Sequence, residues 1–215
     1  MKRLTYLPIL LLCILTLGGC KEDEYVYPNV VTEFIDARTD ATGTLSNLIT
    51  DQGETLAIQP REGLGGLTPD SIYRTVSIYE PLAESKQEVF LYSSQLILSM
   101  LPLPADQFKQ IKTDPVSIRS IWESGAYINM ILLPSVKDHA HAFHFVDQGI
   151  KQENGKQTLT LTLYHDRNHD EEAFTREIYL SIPLWGYDGQ LKKVDRIIVQ
   201  LNTYEEGMTT REFIY

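Results

Sequence analysis

The segment Thr158-Leu159-Thr160-Leu161-Thr162-Leu163 alternates polar and apolar residues at a strict period of two. That pattern gives one wet and one buried face only on an extended backbone, because successive side chains of a strand leave on opposite sides. From residue 30 onward no stretch of a dozen residues keeps apolar side chains at helical spacing. Short β-branched and aromatic runs recur instead, between Gly, Pro, Asn and Asp punctuation. The chain therefore predicts an all-β protein. The expected strands are 30–36, 45–50, 55–59, 73–80 and 89–98, then 116–123, 127–133, 139–146, 158–164, 174–182, 194–201 and 211–215. Asp51-Gln52-Gly53 and the segments 63–70, 152–155 and 187–189 carry the residues of tight connections.

Pro102, Pro104 and Pro115 bracket a polar segment, with room for one helical turn over 107–112. A proline supplies no ladder donor and stiffens the chain, so 102–115 reads as a proline-rich linker. Five strands before it and seven after predict a small OB-like five-stranded barrel over 30–101, followed by an antiparallel β-sandwich over 116–215. The competing arrangement is one continuous barrel or sandwich. With 215 residues either can bury a real core.

Residues 1–19 read as a lipoprotein signal peptide. Lys2 and Arg3 precede an eleven-residue apolar run, 7–17, which is short of the roughly 20 residues a spanning helix needs. The run ends in Leu17-Gly18-Gly19-Cys20, which resembles the bacterial lipoprotein box. The resemblance implies a diacylglycerol thioether on Cys20, cleavage before it, and a further acyl chain of the palmitate kind on the new amino group. At roughly 0.8 kcal/mol per buried methylene, several such chains hold a protein at a membrane permanently. Cys13 falls in the discarded segment, so the mature chain would contain no disulfide and rely on packing.

The acidic tether 20–29 contains Lys21-Glu22-Asp23-Glu24, which resembles the export signal that carries some lipoproteins to the outer face of the outer membrane. The expected location is therefore the outer membrane, lipid-anchored and surface-exposed. Loss of Lys2 and Arg3 leaves 17 basic against 29 acidic side chains, a charge of −12. Such a field repels phosphate backbones and excludes nucleic acid as a partner.

Three groups of residues invite chemical readings. All five histidines lie between 139 and 169. His139 and His141, on one face of an expected strand and about 7 Å apart, could share a zinc ion with His165 from a neighbouring strand. Asp166-Arg167-Asn168-His169-Asp170 places oxygens at alternate positions, as a calcium loop does. Glu171, however, stands where that loop demands glycine. Trp122, Tyr127, Trp185 and Tyr187 offer flat apolar faces to a sugar or a protein partner. The sequence contains no Gly-x-Ser-x-Gly elbow, no His-Glu-x-x-His, and no glycine turn followed by the Lys-Ser or Lys-Thr of a phosphate cradle. No enzyme activity and no cofactor are expected.

The motifs Leu67-Thr68-Pro69-Asp70-Ser71-Ile72-Tyr73-Arg74, Tyr127-Ile128-Asn129-Met130 and Leu161-Thr162-Leu163-Tyr164-His165, behind a lipoprotein start, resemble the NigD-like lipoproteins. The resemblance implies an OB-fold-like N-terminal domain and a β-sandwich C-terminal domain. The family takes its name from a bacteriocin-associated gene cluster, so it further implies a non-enzymatic, immunity-type role toward a toxin or another envelope protein. Two alternatives stand beside it: a glycan-binding surface lipoprotein using the aromatic residues, and a metal-binding protein using the histidines.

Overall fold

A computed structural model describes residues 28–215, apart from 83, 84, 86 and 154. Cys20, the signal peptide and most of the tether lie outside the described residues. The first five strands are β1 (Val31–Thr39), β2 (Leu45–Ile49), β3 (Thr55–Ile58), β4 (Ile72–Pro81) and β5 (Glu88–Leu96). They close into a barrel in the order β1-β2-β3-β5-β4, with β4 returning to β1. A parallel contact between β3 and β5 closes the seam that antiparallel hairpins leave open. On β1, Ile35 and Ala37 point into the barrel with Leu48, Leu56, Val89 and Leu91. The intervening Phe34 and Asp36 point out of it, toward the second domain.

The second domain holds β6 (Leu98–Ser99), β7 (Leu103–Pro104), β8 (Ser117–Ser124), β9 (Tyr127–Leu133), β10 (Ser135–Val136), β11 (Ala142–Glu153), β12 (Lys156–Asp166), β13 (Phe174–Thr175), β14 (Ile178–Pro183), β15 (Arg196–Thr203) and β16 (Gly207–Ile214). A five-stranded sheet, β16-β15-β12-β11-β7, packs on a four-stranded one, β6-β14-β9-β8. Four of their pairings are antiparallel, and three, β12 with β15, β11 with β7 and β14 with β6, are parallel. The Thr/Leu alternation resolves as expected: Leu159, Leu161 and Leu163 enter the sandwich core opposite Ile128, Met130 and Leu180. Burying each such side chain contributes roughly 1.5–3 kcal/mol.

Four local expectations need correction. The strand expected from 139 begins at Ala142, because the Asp170 carboxylate captures the backbone N–H groups of Lys137, Asp138 and His139 at 2.7, 2.9 and 3.0 Å. Donors spent on a side chain cannot serve a ladder. Residues 174–182 form two strands, β13 and β14, that pair in different sheets. The turn expected over 107–112 is a 3-10 turn at Ala105–Gln107. Residues 102–115 are part of the sandwich: Leu103–Pro104 pairs with β11 as an edge strand, where a missing N–H is tolerated. Thr113 and Asp114 also contact His165.

The two domains meet closely. Gly125, in the β8–β9 turn, has φ +56, and a Cβ there would fall 2.5 Å from the carbonyl oxygen of Asp51 in the barrel's β2–β3 turn. Only glycine allows that approach.

Candidate functional site

The four-stranded sheet has two working faces. Ile128, Met130, Leu180 and Ile182 fill the sandwich, so alternation turns Asn129 and Ser181, cross-strand neighbours on β9 and β14, toward the barrel. There they meet Arg74. It stands opposite Asp36 in the β1–β4 ladder, and its side chain is 2% exposed. Arg74 Nη1 donates to Asp51 Oδ1 at 2.6 Å and to Asp36 Oδ1 at 3.2 Å. Its Nη2 donates to Asp51 Oδ2 and to Asn129 Oδ1, both at 3.1 Å, and its Nε to Ser181 Oγ at 3.4 Å. The guanidinium carbon lies 3.9 Å from the centre of the Tyr127 ring, whose hydroxyl donates to Asp36 Oδ2 at 3.1 Å. One buried cation thus joins two barrel carboxylates to three sandwich side chains, and the bidentate fork on Asp51 fixes its plane. Burial pushes the Asp36 carboxyl up, and the opposing pull of Arg74 does not cancel it. Burial, helped by the Asp36 charge, pushes the Tyr127 hydroxyl up to about 12. Asn129 Nδ2 is buried and has no partner among the described residues.

Beside this junction lies a cleft of about 400 Å³ shared by both domains. The barrel contributes Glu33, Phe34 and Asp51, and the sandwich contributes Arg119, Trp122 and Tyr179. Phe34 sets its edge against Trp122 at 5.0 Å and 84°, and against Tyr179 at 5.7 Å and 83°. These are the T-shaped contacts that ring quadrupoles favour. Arg119 pairs with Glu177, which also accepts the Tyr179 hydroxyl proton at 2.7 Å.

The residues singled out by sequence are divided among several places. Trp122 lines the cleft. The face of Tyr127 is covered by Arg74. Tyr187 is buried, with its hydroxyl on Asp147 Oδ2 at 2.9 Å, while Trp185 is exposed on the same 3-10 turn. The four aromatics therefore form no common platform, because β alternation and a tight turn send them to different surfaces.

The histidines also differ from expectation. His165 Nδ1 must donate to the Asp114 carbonyl at 2.8 Å, since a carbonyl only accepts, and this leaves Nε2 to accept from His141 Nδ1 at 2.9 Å. Burial holds the His165 pKa down. His139 precedes the strand and contacts the Asn168 carbonyl instead. Only two of the three proposed ligands converge. Among the described residues no group of three or more His, Cys, Asp or Glu is arranged to hold a metal ion. The calcium-like loop likewise spends its carboxylates locally: Asp166 accepts from Lys112 Nζ at 2.7 Å, and Asp170 holds the backbone of 137–139.

Burial pushes the Asp170 carboxyl up, but the N–H groups of His139, Lys137 and Asp138 outweigh it and hold it well below the ordinary range. A depressed folded value means the stabilisation is complete above the unfolded value of about 3.9 and fades as pH falls through the folded one. Asp170→Ala is therefore expected to lower the melting temperature at pH 7, and the gap from the native protein should narrow at pH 3. Melting curves at both pH values check this.

A closed five-stranded barrel joined through a polar junction to a two-sheet sandwich defines the class of two-domain β proteins to which this chain belongs. Residues 99–215 match the model of the NigD-like C-terminal beta sandwich domain. A NigD-like immunity protein from Bacteroides caccae is 32% identical, with a TM-score of 0.72 over 88% of this chain and 94% of that one. The chain belongs to the NigD-like family. A putative toxin-related protein from Parabacteroides distasonis (17% identity, TM-score 0.66, 87% and 93% covered) and a putative lipoprotein from Bacteroides fragilis (14%, 0.59, 86% and 97%) share the fold. No curated protein matches.

Proposed function

We propose that this protein is a lipid-anchored envelope protein that acts by binding, in an immunity-type role against a toxin, with the interdomain cleft as its contact site. The observation that carries the reading is the cleft itself, a concave surface built from both domains with aromatic walls and charged rims, placed where ligand sites commonly form. The similarity to a protein described as an immunity protein supports the role. The signal-like start, Cys20 and the acidic tether support outer-membrane residence with the domains facing outward. The reading is non-enzymatic: at the junction Asp36, Asp51, Ser181 and the Asn129 amide oxygen are all engaged by Arg74, and no nucleophile is paired with a free base there.

The test is survival. A strain lacking the gene, challenged with supernatants of bacteriocin-producing competitors, should regain resistance with the native gene but not with Cys20→Ser or Trp122→Ala. Full protection by both variants, with both proteins present at native levels, would contradict the reading.

A further inference from the structure

We infer that the buried His141–His165 pair holds one positive charge, centred on His141, and that this extra proton clasps the segment 137–141 to the end of the sandwich. The clasp lies away from the cleft and stands whether or not the cleft binds a partner.

The ring protons can be counted. His165 Nδ1 donates to the Asp114 carbonyl, and one further proton lies between His165 Nε2 and His141 Nδ1, 2.9 Å apart. A neutral pair has only those two. His141 Nε2 would then stand bare, 3.4 Å from Asp170 Oδ2, with the two side chains 5% and 2% exposed. Nε2 is buried and has no hydrogen-bond partner among the described residues. Two buried acceptors would face each other without a donor, which is costly where water cannot reach. A third proton, on Nε2, turns that contact into an ion pair.

Asp170 is fixed as the anion, because the N–H groups of Lys137, Asp138 and His139 donate to its two oxygens. The charge centres on His141, which faces that carboxylate. Burial keeps His165 neutral, and the charge on His141 adds to the effect.

The other charged groups nearby are engaged elsewhere or oppose the proton. The Asp114 carboxylate accepts the Arg167 N–H, and Asp166 pairs with Lys112. Lys137 pairs with Glu171 and stands 3.9 Å from Asp138. Lys137, His139 and Arg176 share with His141 the wall of a pocket of about 360 Å³, over an apolar floor that includes Val136, Phe143 and Ile178. These cations disfavour a further charge, so the proton is held by Asp170 and is given up as pH rises.

The segment 137–141 is one wall of that pocket. Asp170 grips its backbone, and the charged imidazole grips Asp170. Loss of the proton makes the His141–Asp170 contact repulsive and loosens the wall. The clasp is complete while the pair is charged and is lost as pH rises.

The experiment uses the full-length protein in detergent micelles, isotope-labelled at its five histidines, and long-range proton–nitrogen correlation spectra. At pH 7 one ring, missing in His141→Gln, should bear protons on both nitrogens. A second, missing in His165→Gln, should bear one on Nδ1 alone. Asp170→Asn keeps an oxygen for the backbone donors and offers Nε2 an amide proton, so it should return His141 to the neutral form at pH 7. Raising the pH until native His141 loses its extra proton should leave the amides of Lys137, Asp138 and His139 about tenfold less protected from hydrogen exchange, after correction for the intrinsic effect of pH. That is roughly the worth of one charged hydrogen bond. Leu161 and Leu163, in the core, should be unchanged.

Two neutral rings in the native protein at pH 7, a doubly protonated His141 that persists in folded Asp170→Asn, or protection of 137–139 that is the same before and after the proton is lost would each overturn the inference. Should Asp170→Asn fail to fold, the native spectra and exchange rates decide alone.

Discussion

Replacing Arg74 with methionine is expected to lower the unfolding free energy by about 3–5 kcal/mol, the usual penalty for removing one partner of a buried ionic network. Methionine keeps most of the volume and none of the donors. Asp36 and Asp51 would be left as neighbouring carboxylates with no cation, and Asn129 and Ser181 would lose their link to the barrel. The loss should appear as a lower urea midpoint by far-UV circular dichroism. It should also separate barrel unfolding from sandwich unfolding, because the network is the main polar tie between them. Adding Asp51→Asn to the variant should recover part of the loss, since it removes one of the stranded charges. A change below about 1 kcal/mol, the range of an exposed ion pair, would show that the junction contributes little.

The second large effect is expected from Phe34→Ala, again about 3–5 kcal/mol. Phe34 is on the outer face of the barrel, yet its ring is buried because the sandwich covers it. Truncation would open a void between the domains and leave Trp122 and Tyr179 without the edge they pack against. The surrounding surfaces belong to two separate sheets and cannot easily collapse into the gap. A double-mutant cycle with Trp122→Ala should give a coupling of about 0.5–1.5 kcal/mol for the ring pair alone. If Phe34→Ala costs no more than an exposed substitution, then the interface is not packed as described.

Much of this was legible in the sequence. The Thr158–Leu163 alternation, the turn residues and the missing helical periodicity sufficed for a barrel followed by a sandwich. The errors have common causes. Strand 139–146 was expected too early because Asp170, distant in sequence, competes for three backbone donors. Of the three histidines expected together, His141 and His165 touch, whereas His139 lies before the strand that would align it. The four aromatics are dispersed because alternation fixes the face of a residue, not which neighbour covers that face: Trp122 reaches the cleft, while Arg74 covers Tyr127.

The junction was the largest omission. Its members, Asp36, Asp51, Arg74, Asn129 and Ser181, come from five separate segments, and only tertiary packing brings them together. Yet Arg74, Tyr127 and Asn129 all fall inside the motifs that carried the family resemblance. Asn129 also interrupts the apolar run Ile128 to Leu133, and a polar residue within such a run signals a second buried face.

The central claim is that barrel and sandwich form one unit, locked at Arg74, so that the cleft exists before any partner arrives. The most direct measurement is urea unfolding of the Trp185→Phe protein, followed at once by Trp122 emission, which reports the junction, and by far-UV circular dichroism, which reports all the strands. The account predicts coincident transitions with one midpoint. A Trp122 transition complete at lower urea, while the dichroism signal remains native, would mean that the domains part before they unfold, and would contradict it.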